Sequence, residues 1–366
     1  MSRRDRGRDP RGVTIYDVAR AAEVAPSTVS RAFSRPGRVN AGTAERIRQV
    51  AKEIGYRTNP LARALSTARS HIIALVVSDV ANPFYSEIVR GSQAAAAQAG
   101  YTILLADAQE SDRLERSALE RAITVVDGVV LGGSRMSDSA IRMIAKQKPL
   151  VVLNRAVVDA PCVVPDNAGG TQRAVEHLSR LGHDALTYVA GPEASWADGM
   201  RWRSLQDTTA DLQIKVRRIG PFSPDVPGGV RAAEELASAP PTAVVAYNDQ
   251  LAIGLIRGFG TRGIEVPGHV SVVGFDNIGA AELITPGLTT VAAPLRLAGA
   301  TATKHLLAMI GGAQSRTGSP MVLPVRLVER GSTAQRRRKR TSPASGTTNV
   351  SPSDRNALMS TPLGSR

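Results

Sequence analysis

The sequence predicts a small helical module followed by an α/β body of two similar lobes, and three observations predict it. Between residues 13 and 55 apolar residues recur at helical spacing in three short stretches. From His71 the pattern changes to short apolar runs alternating with amphipathic helical stretches, as βαβ units around a parallel sheet require. Eight such runs exceed one comfortable sheet for this length and divide into two sets of four.

Residues 1–12, MSRRDRGRDPRG, have almost no apolar content and read as a disordered basic arm. Thr14 with Asp17 three residues on matches a capping box, and Ile15, Val18, Ala19 and Ala22 share one helical face. After Glu23-Val24-Ala25 a second helix begins with Pro26 at its first position, where a missing N–H costs nothing. Val29 and Phe33 form its apolar side; Ser27, Thr28, Ser30 and Arg31 form the other. A third helix runs from Asn40 as cap to Gly55, with Ala44, Ile47, Val50, Ala51 and Ile54 inward. Three short helices with a tight turn between the first two predict a helix-turn-helix headpiece. Asn59-Pro60-Leu61-Ala62-Arg63-Ala64-Leu65 then has a cap and good helix formers, but at about two turns it orders only against a partner.

In the body, strands are predicted at 72–77, 101–105, 128–131, 150–153, 185–189, 215–218, 243–246 and 270–273. Helices fill the gaps, among them 85–99, 114–124, 169–181 and 250–258. Residues 320–328 read as one more strand, after which QRRRKR and a Ser/Pro/Thr/Gly-rich run predict a disordered tail.

The charge is concentrated at the ends of the chain. The sequence has 46 Lys+Arg against 32 Asp+Glu, a net charge of +14. Residues 1–70 hold 15 basic and 6 acidic groups, 71–330 hold 24 and 25, and 331–366 hold 7 and 1. A basic N-terminal module beside a nearly neutral body points to a polyanionic partner for the module alone. Forty of the 46 cations are Arg, whose fork suits phosphate and guanine, although a GC-rich genome produces the same bias.

Other classes are disfavoured. Nothing offers the roughly 18 consecutive apolar residues of a spanning helix, and the charged start has no apolar export signal behind it. No membrane association is expected, and the expected location is the cytoplasm, at the nucleoid. The single cysteine, Cys162, excludes an internal disulfide and reads as a small buried hydrophobe. The five histidines, at 71, 177, 183, 269 and 305, lack metal-ligand spacing, so neither metal nor cofactor is expected. There is no phosphate loop, nucleophile elbow or dinucleotide fingerprint, and no catalysis is expected.

Several strings in order resemble the lac-repressor (LacI/GalR) family of bacterial transcription factors over about residues 13–333. They are VTIYDVARAAEVAPSTVSRAF, AERIRQVAKEIGYRTNPLARAL, SDVANPFYSEIVRG, AVEHLSRLGHDALTYVAGP, AYNDQLAIG, VPGHVSVVGFDN, LTTVAAP and LVERGSTA. The resemblance implies a headpiece at 13–57, a hinge helix and linker at 58–70, and a type I periplasmic-binding-protein-like body at 71–333, with the tail at 334–366. Three crossovers near Val164, Thr290 and Pro320 would then divide the body into lobe 1 (about 71–163 and 291–319) and lobe 2 (about 164–290 and 320–333). Two departures stand out: the family commonly has Gly where Glu23 stands and Ser, as helix cap, where Ala25 stands. A third is Ser204-Leu205 in place of a Gly-aromatic pair, with a short segment from Leu205 to Gly229.

By motif match Pro26, Ser27 and Arg31 take base-reading positions, while Thr14, Tyr16, Thr28, Ser30 and Ser34 take phosphate-contacting ones. Arg31 can bind guanine O6 and N7 together. Leu65 matches a hinge leucine that wedges into the minor groove, with Asn59 and Ala62 as hinge contacts. Effector positions fall on Ser78, Phe84, Tyr85, Asn154, Trp196, Arg201, Asn248 and Asp276, a set suited to a small polyol. Phe84 also reads as core, Asn248 as a helix cap and Trp196 as surface. The function implied is a dimeric repressor on a pseudo-palindromic operator, controlled by a sugar, sugar derivative or nucleoside. The alternative is a related regulator that answers to a protein partner; a stand-alone solute-binding protein is disfavoured by the attached headpiece.

Overall fold

The computed structural model describes residues 13–34, 37–56, 69–314 and 318–336; the arm at 1–12, the hinge segment at 57–68 and the tail from 337 lie outside them. The headpiece helices are α1 (Ile15–Ala21), α2 (Pro26–Ser34) and α3 (Ala41–Glu53). Their starts are set by side chains: the backbone N–H and hydroxyl of Thr14 donate to Asp17 Oδ2 at 2.9 and 2.7 Å, and Gly42 N–H donates to Asn40 Oδ1 at 2.9 Å. One residue from each helix, Val18, Val29 and Ile47, is wholly buried at the centre. Phe33 and Tyr56 close one side with ring centroids 5.8 Å apart.

The turn between α1 and α2 carries a conformational cost. Glu23 has φ +55°, a left-handed conformation that strains any residue with a Cβ. The Ala25 carbonyl accepts from Thr28 and Val29 N–H at 2.8 and 3.2 Å, but its methyl group cannot cap the first N–H groups of α2.

In the first lobe the chain runs β1 (Ile72–Val77), α4 (Phe84–Gln98), β2 (Thr102–Asp107), α5 (Asp112–Ala122), β3 (Gly128–Gly132), α6 (Asp138–Ala145), β4 (Leu150–Leu153) and β5 (Cys162–Pro165). The second lobe follows with α7 (Asn167–Arg180), β6 (Ala185–Val189), α8 (Trp196–Asp211), β7 (Lys215–Ile219), α9 (Val226–Leu236), β8 (Ala243–Ala246), α10 (Asp249–Gly260), β9 (Ser271–Asp276), α11 (Ala280–Leu283) and β10 (Thr289–Ala292). Then α12 (Leu295–Ile310) returns to the first lobe, β11 (Met321–Leu323) joins its sheet and β12 (Arg326–Val328) joins the second.

The two sheets have the same plan, β11-β5-β4-β3-β1-β2 and β12-β10-β9-β8-β6-β7. All their pairings are parallel except β10 with β12. Inner strands such as β3 and β4 are buried on both faces, which is why they read as unbroken apolar runs. The edge strands β2 and β7 are largely exposed, and the Lys and Arg of KVRRI discourage edge pairing. On the first lobe α4 lies backbone to backbone on α12, because a Cβ at Gly91 would strike the Arg296 carbonyl and one at Gly299 the Ile88 carbonyl.

Where structure and expectation differ, short-range patterning was blind to a long-range partner. All eight predicted strands are present, and β5, β10, β11 and β12 bring each sheet to six rather than four. The single strand expected at 320–328 is two: Met321–Leu323 pairs with β5 and Arg326–Val328 with β10, separated at Pro324, which has no N–H for a ladder. The third crossover therefore lies at 324–325 and not near Pro320. The second follows Ala292, and the first follows Pro165. Residues 334–336, expected to open the disordered tail, are docked: Ala334 N–H donates to Ser271 Oγ at 3.1 Å, and Arg336 N–H donates to the Leu181 carbonyl at 2.9 Å. Cys162 is buried, as the sequence predicts. Among the described residues no helix is long and apolar enough to cross a membrane.

Glu23→Gly should relieve the left-handed strain and stabilise the headpiece by about 0.5 to 1 kcal/mol, and Ala25→Ser should add a cap worth about 1 kcal/mol. Amide hydrogen exchange across 15–54 in the intact protein should slow several-fold in each variant. Unchanged exchange would disprove the strain.

Candidate functional site

Helix α2 turns Val29 and Ala32 into the headpiece core and leaves Pro26, Ser27 and Arg31 exposed on one side, with Thr28 and Ser30 half-buried between. Tyr16, from the first turn of α1, is 66% exposed. Thr14 is committed to its own cap through Asp17. This is a convex polar face with an Arg on its rim, the shape that lies in a major groove. The side chain of Ser34, and Asn59, Ala62 and Leu65 of the hinge, lie outside the described residues.

The second candidate site is built by sheet topology. In each sheet the strand order reverses at one point, between β1 and β3 in the first lobe and between β6 and β8 in the second. Loops diverge there at the carboxyl ends of the strands and leave a crevice. Ser78 stands one residue past β1, Asn154 one past β4, Tyr247 and Asn248 just past β8, and Asp276 ends β9. A cavity of about 600 Å³ is lined from both lobes, by Asp79 and Glu110 on one side and by Pro192, Glu193, Phe222 and Asp225 on the other.

The second-lobe strand ends also hold a buried ion pair, which does not line that cavity. Arg201 on α8 and Asp276 are 3% and 5% exposed, with Nη2 and Oδ1 3.6 Å apart. Arg201 Nε donates to Asn167 Oδ1 at 2.9 Å, its Nη1 donates to the Tyr247 carbonyl, and its guanidinium lies 3.5 Å over the Phe275 ring. Helix α8 is held in position by Asp198, which accepts from Tyr188 OH and Gly191 N–H at 2.8 Å each and from Arg218 Nη2 at 2.7 Å. Burial pushes the Asp276 carboxyl well above the usual range; Arg201 opposes this and nearby Asp249 adds to it.

The other expected residues divide by what their polar atoms already do. Asn248 Oδ1 accepts from Leu251 N–H at 2.9 Å and its Nδ2 donates to the Pro224 carbonyl at 3.0 Å, so it caps α10 and braces a loop. Ser78 Oγ and Tyr85 OH are paired at 2.7 Å, and Phe84 packs edge-on against Tyr85 in the first-lobe core. Trp196 is half-buried against the second-lobe core at the start of α8. Asn154 has φ +61° and a buried Oδ1 with no hydrogen-bond partner among the described residues, an acceptor left open for a donor.

The residue reading missed Asn167, Tyr247 and Phe275 as partners of Arg201. Tyr247 and Phe275 stand inside the AYND and GFDN strings, beside residues that it did select. It also missed Asp249, wholly buried, which accepts from Thr290 Oγ1 at 2.5 Å and Ile278 N–H at 2.9 Å and so ties α10 to β10 at the crossover.

Burial pushes the Asp249 carboxyl up to about 7, against the hydrogen bonds from Thr290 and backbone N–H groups. The folded protein thus holds this proton to near pH 7, whereas an unfolded Asp releases it near pH 4. The stability contributed is full below about pH 4 and is lost as pH rises toward about 7. Asp249→Asn should flatten the fall in stability between pH 5 and 7, measured by urea unfolding across that range; an unchanged slope would assign it elsewhere.

Comparison with known proteins agrees with this architecture. Residues 14–59 match the model of bacterial regulatory proteins of the lacI family, and residues 70–330 match that of periplasmic binding proteins and the sugar-binding domain of the LacI family. The chain is 33% identical over 328 residues to the HTH-type transcriptional repressor CytR of Escherichia coli (strain K12), covering 87% of this chain and 96% of CytR. It superposes on the lac repressor dimer bound to operator and an anti-inducer with TM-score 0.80 at 27% identity, covering 88% of this chain and all of the other. A LacI family regulator from Enterococcus faecalis with bound ribose aligns with TM-score 0.66 at 29% identity, covering 73% of this chain and all of the other. These relatives are regulators and not enzymes. A helix-turn-helix headpiece joined to a two-sheet body with its crevice at both switch points, matched over nearly its whole described length, belongs to the LacI family of bacterial regulatory proteins.

Proposed function

We propose that the protein is a transcriptional repressor that binds a pseudo-palindromic operator as a homodimer in the cytoplasm and responds to a small, sugar-like effector held between its lobes. The observation that carries this reading is the buried Arg201–Asp276 pair at the carboxyl ends of the second-lobe strands, in a body attached to a helix-turn-helix with an exposed polar face. A charged pair sequestered at a crevice offers donors and an acceptor to hydroxyl groups at little reorganisation cost.

The roles proposed for the headpiece and hinge residues rest on their match to the family's motif. Pro26, Ser27 and Arg31 read base edges, Thr14, Tyr16, Thr28, Ser30 and Ser34 hold phosphates, and Leu65 with Asn59 and Ala62 engages the operator centre. The 15 basic and 6 acidic groups of residues 1–70 make this affinity fall steeply with salt. The hinge at 58–70 leads into a body whose first residues are clamped: Ser70 N–H and His71 N–H donate to Asp127 carboxylate oxygens at 2.8 and 3.0 Å, and Arg69 Nη2 donates to the Ile310 carbonyl at 2.8 Å. Ile310 ends α12, whose other end begins three residues after β10 at a crossover between the lobes. A change in lobe closure is thereby felt where the hinge begins. An effector shifts operator affinity by its differential affinity for the two lobe arrangements. The ribose held by the Enterococcus neighbour and the open Asn154 acceptor support a polyhydroxylated ligand.

Arg31→Ala should weaken binding to an operator selected from a randomised DNA pool by about 10- to 100-fold at fixed salt and relax preference at one base pair. Wild-type affinity in the variant would refute the base-reading role. Asp276→Asn, which leaves Arg201 an acceptor, should retain operator binding while abolishing the thermal shift and operator response produced by an effector found with the wild-type protein. A retained response would remove Asp276 from the site.

A further inference from the structure

The first-lobe wall of the crevice holds a second buried guanidinium that no family string includes. Arg135 follows β3 by three residues and so stands at the first-lobe switch point, beside Ser78 on the neighbouring strand end. The turn that places it passes through Gly133, φ +66°, where a Cβ would strike the Tyr85 hydroxyl. The Arg135 side chain is 8% exposed, and its Nε donates to Glu110 Oε2 at 2.6 Å. Its Nη1 and Nη2 meet no hydrogen-bond acceptor among the described residues, nor are they sealed from solvent. Burial opposes its charge, while the oxygens of Tyr247 across the crevice, Glu110 and Tyr85 favour it, and the net effect keeps the guanidinium charged.

Glu110 is held for this contact. Its φ of +57° follows a φ of +48° at Gln109, two successive left-handed residues with side chains, and its N–H donates to the Ser78 carbonyl at 2.5 Å. The same carboxylate lines the interlobe cavity together with Asp79, Glu193 and Asp225. Behind the cavity-lining carboxylate of Glu110, Arg135 thus keeps two unused NH2 groups in a fork, next to a rim that is negative. A fork of this kind suits two adjacent oxygens, and the rim repels them if they belong to a phosphate.

We infer that Arg135, oriented by Glu110, is the first-lobe specificity residue of the effector site. It binds adjacent hydroxyl oxygens of a neutral polyol, and the acidic rim selects against the phosphorylated form of the same compound. The inference rests on the small-molecule reading above and adds to it the charge class of the ligand and the residue that selects it.

The test is calorimetric titration of the intact protein with ribose, cellobiose, uridine and adenosine, and with ribose 5-phosphate, UMP and AMP. The wild-type protein should bind a neutral compound and disfavour its phosphate ester by about 10-fold or more. Arg135→Met and Arg135→Lys should each lose about 10- to 100-fold in affinity for the neutral compound, the second despite its retained charge because it has no fork. The ligand-free melting temperature of Arg135→Lys, which keeps a cation beside Glu110, should stay near the wild type, which separates lost recognition from lost folding. Glu193→Gln should narrow the preference against the ester. Wild-type preference for a phosphate ester, or unaltered binding by both Arg135 variants, overturns the inference and leaves the small-molecule reading standing. Wild-type binding of none of the seven compounds, with operator binding intact, overturns both.

Discussion

A guanidinium taken out of water must be given acceptors, and meeting that requirement for Arg201 organises the second lobe. Nε goes to Asn167 at the head of α7, just after the first crossover. Nη1 goes to the backbone at the end of β8, and Nη2 faces Asp276 at the end of β9. One side chain thereby links a crossover to two central strand ends, with Phe275 against its face. Removing a partner from such a pair costs several times more than the pair contributes, because the remaining charge stays buried and unpaired. The arrangement is weak evidence of stability. It is better understood as a site whose polar groups are held ready for a ligand.

Repetition of one strand order in both lobes then gives the crevice its form. Each sheet contributes the carboxyl ends of its strands, and Arg135 of the first lobe stands near Tyr247 of the second. Asp166 N–H donates to the Leu323 carbonyl at 2.9 Å, joining the first crossover to the third, and Asp249 bonds Thr290 at the second. The lobes are joined by short segments and by apolar contact, since Ile278, Ile253 and Ala280 of the second lobe pack against the first-lobe core.

Backbone strain is distributed unevenly in a way that follows the same geometry. Gln109 and Glu110 after β2, Asn154 after β4, and Asp276 with Asn277 at the end of β9 all have positive φ without being glycine. Each is at or just past the carboxyl end of a strand, on the crevice side of its sheet. Such residues cost of order 1 kcal/mol or more apiece and persist where surrounding contacts over-determine them. Four others lie elsewhere: His71 and Gln213 just before strands, Asp159 in the β4–β5 connection, and Glu23 in the headpiece turn, where the family's glycine is absent.

Elements whose identity rests on local periodicity were legible in the sequence alone: the headpiece helices with their Thr14 and Asn40 caps, the eight predicted strands, and the concentration of charge in residues 1–70. The choice of Arg201 and Asp276 as effector residues rests on the family resemblance; the structure brings their side chains to 3.6 Å. What tertiary structure decided is what depends on partners far away in the chain. Met321–Leu323 and Arg326–Val328 look like one strand until Pro324 hands them to different sheets. Asn248 reads in the sequence both as a ligand residue and as a helix cap, and only the fold shows its Oδ1 accepting from Leu251 N–H and its Nδ2 donating to the Pro224 carbonyl. Arg135 and Glu110 are ordinary surface charges in the sequence and become a buried fork only when β1 and β3 lie side by side. Local pattern reports the energy a segment can gain from its own neighbours; burial and polar satisfaction are settled by contacts at a distance, and those set the site.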